Sequence, residues 1–173
     1  ETTDFVFEET DLDEIIRTSV RKYARQFIAK KISLSYEPVE TTVITDKKWL
    51  SFVIEQVISN AVKYTKTGGI KIYLEDGDGT MSVPVQKASH RKEDDGENSG
   101  MKSVRLVIED TGIGIRAEDL PRICEMGYTG CNGHEGQHSS GIGLYLCSRI
   151  LKKLGHTFSI TSKEGVGAVV KIG

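Results

Sequence analysis

Glu55-Gln-Val-Ile-Ser-Asn60-Ala-Val-Lys63-Tyr64 is the stretch around which the rest of the chain organises itself. Read as a helix at about 100° per residue, it places Gln56, Asn60 and Lys63 on one narrow stripe, with Tyr64 at its edge. Leu50, Val53, Ile54, Val57, Ile58 and Ala61 fill a second stripe, about 100° round the cylinder. The helix thus turns one face to a core and presents, beside it, a row of amide, ammonium and aromatic groups. These suit a metal ion, a phosphate and a planar base. Taken alone, the segment fits an amphipathic helix with an ordinary solvated side equally well.

Upstream, Asp46 is placed to cap this helix, and Thr42-Val-Ile-Thr45 reads as a short strand. Ile32–Tyr36 alternates as a half-buried strand ended by Pro38, and Phe5–Glu8 is a further strand candidate. Between these two strands, Ile16, Val20, Tyr23 and Phe27 recur at four, three and four residues, which predicts one helical face behind the cap Asp11. Downstream, Gly68-Gly69 stops the helix and Ile70–Leu74 is a strand. Residues 76–102 are rich in Gly, Ser, Asp, Glu and Lys and nearly free of aromatic rings. Such a segment cannot bury enough surface to offset the entropy of ordering and reads as a flexible insertion, with Met81–Val85 as a scrap of strand. Val104–Ile108 is the next strand. Leu144, Cys147, Leu151 and Leu154 mark a third helix, and Phe158–Thr161 with Val166–Ile172 a closing hairpin turned at Gly165. Three long helices and an antiparallel-rich set of strands predict an α+β fold, a two-layer α/β sandwich with the helices on one face of the sheet.

With 173 residues and 38% hydrophobic content, the chain suffices for a single domain over 1–173 and not for two. A net charge of -2 gives no electrostatic case for nucleic acid as a partner. No apolar run approaches the roughly 20 residues that span a bilayer, and no signal peptide is visible. The chain opens at Glu1 without a methionine, as expected of a piece of a longer protein. Cys124, Cys131 and Cys147 are odd in number and lack zinc-type pairing, which predicts reduced thiols in a cytoplasmic compartment. His134 and His138 have the four-residue spacing of a metal pair. They lie in a Gly-rich stretch without an adjacent third ligand and read as solvated.

Two further motifs carry chemistry. Asp110 closes the row Val104, Leu106, Ile108 on one side of its strand, where a carboxylate is costly unless something donates a hydrogen bond to it. The 6-amino group of adenine is such a donor, whereas guanine presents an oxygen there and is repelled. Gly112 and Gly114 permit a tight turn and leave room for a flat ring against the backbone. A plain strand-end turn explains Asp-Thr-Gly almost as well. Gly141-Ile142-Gly143-Leu144 opens the third helix, where unpaired amides and the helix dipole favour an anion, with Ser139 or Ser140 as cap. A structural turn is the commoner use of such a fragment.

Together, Asn60 with Lys63-Tyr64, Asp110-Thr-Gly-Ile-Gly114 and Gly141-Ile-Gly143-Leu144 resemble, in order and spacing, the N, G1 and G2 boxes of bacterial two-component sensor histidine kinases. Leu120-Pro-Arg-Ile-Cys-Glu125 is similar to that family's F box, and Gly165-Val-Gly167 to its last glycine pair. The resemblance covers essentially the whole chain apart from the insertion. It implies the catalytic, ATP-binding domain of such a kinase, with the Bergerat-type ATP fold and mixed sheet of the GHKL superfamily. On the same ground Asn60 is expected to coordinate Mg2+, Lys63 to contact phosphate as the catalytic cation, Tyr64 to stack on adenine, and Asp110 to read it. Gly112, Gly114, Ile115, Gly141, Ile142, Gly143 and Leu144 would line the nucleotide, and residues 116–140 would form the lid over ATP. The partners implied are ATP, a histidine phosphoacceptor and dimerisation domain of the same kinase and, indirectly, a response regulator. The setting implied is the cytoplasmic part of a membrane-anchored sensor.

Three positions depart from the family pattern. Cys124 stands where the F box has phenylalanine, which loosens lid packing. Ala168 follows the last glycine pair in place of a threonine and removes a hydroxyl. Gln56 stands four residues before Asn60, where related ATPases keep a glutamate. Glu55 lies roughly 140° round the helix from Asn60 and does not substitute. Without that general base water activation is poor, which favours phosphoryl transfer to another acceptor over the alternative of an ATP hydrolase. A degenerate nucleotide-binding module is the other alternative. None of His90, His134, His138 and His156 sits in a helical phosphoacceptor context, so the acceptor is expected on another domain.

Overall fold

A computed structural model of the chain describes residues 4–38, 40–84, 101–125 and 143–173. Strand β1 (Glu8–Asp11) pairs antiparallel with β3 (Thr42–Thr45) as a separate two-stranded ribbon. It starts at Glu8 rather than Phe5, because Phe5 packs its ring against Trp49 instead, with centroids 6.2 Å apart. Asp11 caps α1 (Leu12–Lys22) by accepting from the amides of Asp13 and Glu14. The single helix predicted here is two. At Tyr23 the backbone sits at φ -103, ψ 6, outside the helical well, and its amide bonds back to Val20. Helix α2 (Ala24–Lys30) then restarts, with Phe27 still buried. The apolar spacing runs through the break, which is why periodicity does not reveal it.

Helix α3 (Lys47–Tyr64) begins at Asp46, whose carboxylate accepts from the Trp49 amide at 3.1 Å. Its predicted apolar stripe is buried from Leu50 to Ala61. That stripe packs with Ile70, Ile72, Leu106 and Ile108 from the sheet, Leu12, Ile15 and Ile16 of α1, and Cys147 and Leu151 of α4 (Gly143–Leu154). Each such side chain fully removed from water contributes about 1.5–3 kcal/mol. Among the described residues, four α-helices and a mixed five-stranded sheet thus make the expected two-layer α+β arrangement, one helix more than predicted.

The sheet runs in the order β2 (Ser33–Tyr36), β4 (Gly69–Pro84), β5 (Met101–Asp110), β7 (Gly167–Ile172) and β6 (Phe158–Lys163). Only the β2–β4 pairing among these is parallel. The flanks of the expected 76–102 insertion belong to this sheet: after an irregularity between Asp76 and Met81, residues 81–84 pair with 101–104. Backbone pairing needs no apolar side chains, so composition alone hides it. Residues 85–100 lie outside the described part, as do His90, Cys131, His134 and His138. Cys124 and Cys147 are free thiols, and burial pushes that of Cys147 up to about 12. Among the described residues no helix is long and apolar enough to cross a membrane.

Candidate nucleotide site at the end of α3

The last turn of α3 and the turn after β5 meet through their backbones. The Ile113 amide donates to the Tyr64 carbonyl at 3.0 Å. A Cβ on Gly112 would lie 2.6 Å from that same oxygen, so only glycine allows so close an approach. Lys63 and Tyr64 are therefore brought beside Asp110, from which a whole strand pair separates them in sequence. The Lys63 ammonium sits 5.1 Å from the centre of the Tyr64 ring, a cation–π contact.

Asp110 is half-buried where β5 ends. Its Oδ1 accepts from the Gly112 amide at 2.9 Å and from the Ala168 amide at 3.3 Å. Among the described residues Oδ2 takes no hydrogen bond, which leaves one acceptor for an incoming donor. Burial, joined by the neighbouring Glu109, pushes the carboxyl above its ordinary range, and the two amides partly oppose the rise. Ala168 serves Asp110 through its backbone, so the missing threonine hydroxyl leaves this contact intact.

Further bonds stitch the turn to the β6–β7 hairpin. The Gly165 amide donates to the Ile113 carbonyl at 2.7 Å, and the Ile115 amide to Ser162 Oγ at 2.7 Å. Ser162 donates onward to the Gly167 carbonyl at 2.8 Å. At Gly167, with φ 142, a Cβ would stand 1.9 Å from the Asp110 carbonyl oxygen. On the other flank the Gly69 amide donates to Thr111 Oγ1 at 2.9 Å.

The start of α4 closes the remaining side. A Cβ on Gly143 would lie 2.7 Å from Gln56 Oε1, so the first residue of α4 abuts the polar stripe of α3 one turn before Asn60. Leu144 is half-buried next to it, while Gly141 and Ile142 lie outside the described residues, as do positions 126–140 of the expected lid. Residues 116–125 of that lid are described and contain the 3-10 turn Leu120–Arg122. Asn60 is half-buried, and among the described residues its amide takes no hydrogen bond. Glu55 faces away and binds Lys22 of α1 at 2.9 Å. Lys63, Tyr64, Asp110 and Gly112 thus meet at one junction, Gly114 and Ile115 tie it to the β6–β7 hairpin, and Gly143, followed by Leu144, abuts Gln56 one turn before Asn60. A groove of about 450 Å³ walled by Phe5, Trp49, Phe52 and Tyr145 is separate from it and shares none of these residues.

Sequence reasoning did not single out Thr65, Thr111 or Ser162. Thr65 is fully buried directly after Tyr64, and among the described residues its hydroxyl has no hydrogen-bond partner. Adjacency to the polar stripe is its one sequence signal. Ser162 and Thr111 act on backbone groups distant in sequence, and nothing local marks them.

Residues 45–173 match the family model described as histidine kinase-, DNA gyrase B-, and HSP90-like ATPase. The Bacillus subtilis (strain 168) protein Sensor histidine kinase YxdK is 33% identical over 172 residues, covering 97% of this chain and 46% of that protein. The solved catalytic domain of histidine kinase ThkA aligns with a TM-score of 0.71 at 20% identity, covering 97% of this chain and 94% of that one. Full-length ShkA in complex with AMPPNP gives 0.73 at 19% identity, covering 99% and 31%. The chain belongs to the histidine kinase-, DNA gyrase B- and HSP90-like ATPase family. Its fold is that of histidine kinase catalytic domains, and it spans less than half the length of the sensor kinase relative given above.

Proposed function

We propose that this domain binds Mg-ATP and donates the γ-phosphoryl group to a histidine on a separate dimerisation domain, as the catalytic part of a two-component sensor histidine kinase. The observation that carries the reading is the junction at Gly112, where Asp110 offers an unused carboxylate oxygen beside Tyr64. A purine fits there: its 6-amino group meets Oδ2 and its face meets the glycine turn. Asn60 would hold Mg2+. Among the described residues no three His, Cys, Asp or Glu side chains cluster to cage a metal, which suits an ion that takes one amide oxygen and otherwise phosphates and water. When bound, that ion neutralises phosphate charge. Lys63 then contacts the phosphates, the start of α4 at Gly143 presents amides to them, and the domain works by orientation and charge neutralisation. The AMPPNP complex of ShkA supports a nucleotide in this fold. The setting that goes with this activity is the cytoplasmic side of a membrane-anchored sensor, upstream of a response regulator.

Calorimetric titration with ATP, with and without magnesium, tests the first half: binding is expected to require the metal. Supplying a helical histidine domain in trans and assaying phosphohistidine on it tests the second. No magnesium-dependent binding, or radiolabel appearing on a histidine of this chain itself, would defeat the proposal. Binding without transfer would mark a degenerate nucleotide-binding module.

A further inference from the structure

We infer that Lys30 is a positioning residue for the nucleotide site, its ammonium holding the last turn of α3 and with it Lys63 and Tyr64. The inference rests on the ATP reading above. A helix leaves its final carbonyls without partners in the next turn. In α3 the Ala61 carbonyl is met by the Thr65 amide at 3.1 Å and the Tyr64 carbonyl by the Ile113 amide at 3.0 Å. The two between them, Val62 and Lys63, are both met by Lys30 Nζ, which lies 3.1 Å from the Lys63 oxygen. One cation thus completes a helix end that carries two proposed ligand-binding side chains.

The approach is built into the chain. Lys30 is the last residue of α2, and Lys31, at φ 55, turns the chain in the left-handed region and ends the helix there. Among the described residues no carboxylate pairs with Lys30, so its charge faces carbonyl oxygens alone. Burial and the nearby Lys66 hold its pKa below the ordinary lysine value, as expected of an ammonium drawn off the solvent. A cation there also opposes the negative end of the α3 dipole. The fold does not depend on this contact for its core: Val53, Ile54, Ile58 and Val62 anchor α3 by burial. The terminal turn, where helices fray by default, is held by the Thr65 and Ile113 amides and by burial of Val62, and Lys30 meets the two carbonyls that these leave over.

The test compares the wild-type chain with Lys30→Met, Lys30→Arg and the control Lys22→Met. The control breaks an ion pair to Glu55 on the same helix, away from its last turn. Mg-ATP affinity is measured by calorimetry well below each melting temperature, and amide exchange is followed along α3. Lys30→Met is expected to weaken ATP about tenfold and to speed exchange only at residues 62–65, with Lys30→Arg restoring both and Lys22→Met changing neither. Affinity of Lys30→Met within about twofold of wild type would overturn the inference. So would an equal loss in Lys22→Met, or exchange rising along the whole helix. Should Lys30→Met not fold, Lys30→Gln replaces it; failure of both assigns Lys30 to stability and overturns the inference. Wild type that binds no ATP refutes the proposed function instead, while the exchange pattern still decides whether Lys30 holds the turn.

Discussion

Replacing Asp110 with asparagine separates two tasks of that side chain. The amide oxygen can accept from the Gly112 and Ala168 amides as Oδ1 does at 2.9 and 3.3 Å, so the turn keeps its stitching. Where Oδ2 offers an acceptor, the variant presents an NH2 donor. Burial already penalises the carboxylate, so the neutral amide relieves that penalty while giving up charge-assisted strength. The two changes oppose each other, and folding stability should move by no more than about 1 kcal/mol, or about 2–4 °C in Tm. Nucleotide binding has no such offset. A hydrogen bond to a charged group is worth about 1.5–3 kcal/mol, so ATP affinity should fall by about ten- to a hundredfold. The guanine oxygen, repelled by the carboxylate, finds a donor in the variant, and the preference for ATP over GTP should shrink or invert. Calorimetry with both nucleotides and a melting curve on the same sample decide the matter. An unchanged ATP-to-GTP ratio would refute the adenine-reading role, and a collapse of Tm would show that the turn itself depends on the charge.

Gly112→Ala places a methyl 2.6 Å from the Tyr64 oxygen and 2.9 Å from Asp110 Oδ1. The clash should cost about 1–3 kcal/mol, lower Tm by roughly 2–12 °C and abolish tight ATP binding; an unshifted melting curve would deny the close approach. His156 meets Thr45 Oγ1 at 3.0 Å, and burial holds its pKa below the ordinary 6.5, partly opposed by a hydrogen bond with the Gly173 backbone. As pH falls through 6.5 the unfolded chain takes the proton first, so stability is complete above that value and lost as pH drops toward the folded pKa. Melting temperatures across this window should decline for wild type and flatten in His156→Gln.

How much of this was legible differs by element, for physical reasons. Helix α3 announces itself because a core stripe and a polar stripe repeat at the helical period, and burial from Leu50 to Ala61 matches the first. Asp110 stands out because a carboxylate closing an apolar row demands a donor. The break at Tyr23 is silent because burial is set by side-chain spacing, which continues across it. The long arms of β4 and β5 are silent because ladder bonds join backbones whatever the side chains. Lys30, Thr111 and Ser162 are silent for a related reason: each bonds to main-chain groups remote in sequence, a relation that leaves no local pattern. The glycines were legible as turns, but that a Cβ at Gly112 or Gly167 would meet the main chain, or at Gly143 the Gln56 side chain, is a fact of assembled packing.

Gln56 bears on transfer against hydrolysis through its position as well as its chemistry. Its side chain lies where α3 meets the first residue of α4, one turn before Asn60. A glutamate here would set a carboxylate at a helix N-terminus, beside the amide proposed to hold the metal, where it could take a proton from water close to the phosphates. An amide cannot accept that proton. The adjacent carboxylate, Glu55, is held by Lys22 on the far side of the helix, and Asp110 lies at the end of the site proposed for the purine. On the proposed reading, the polar stripe of α3 would carry groups that bind and orient a triphosphate and none that activates water. Under the proposed function, a domain so equipped would keep the γ-phosphoryl group for a nucleophile that another domain brings to it, and the separation of acceptor from donor would make transfer depend on how the two domains meet.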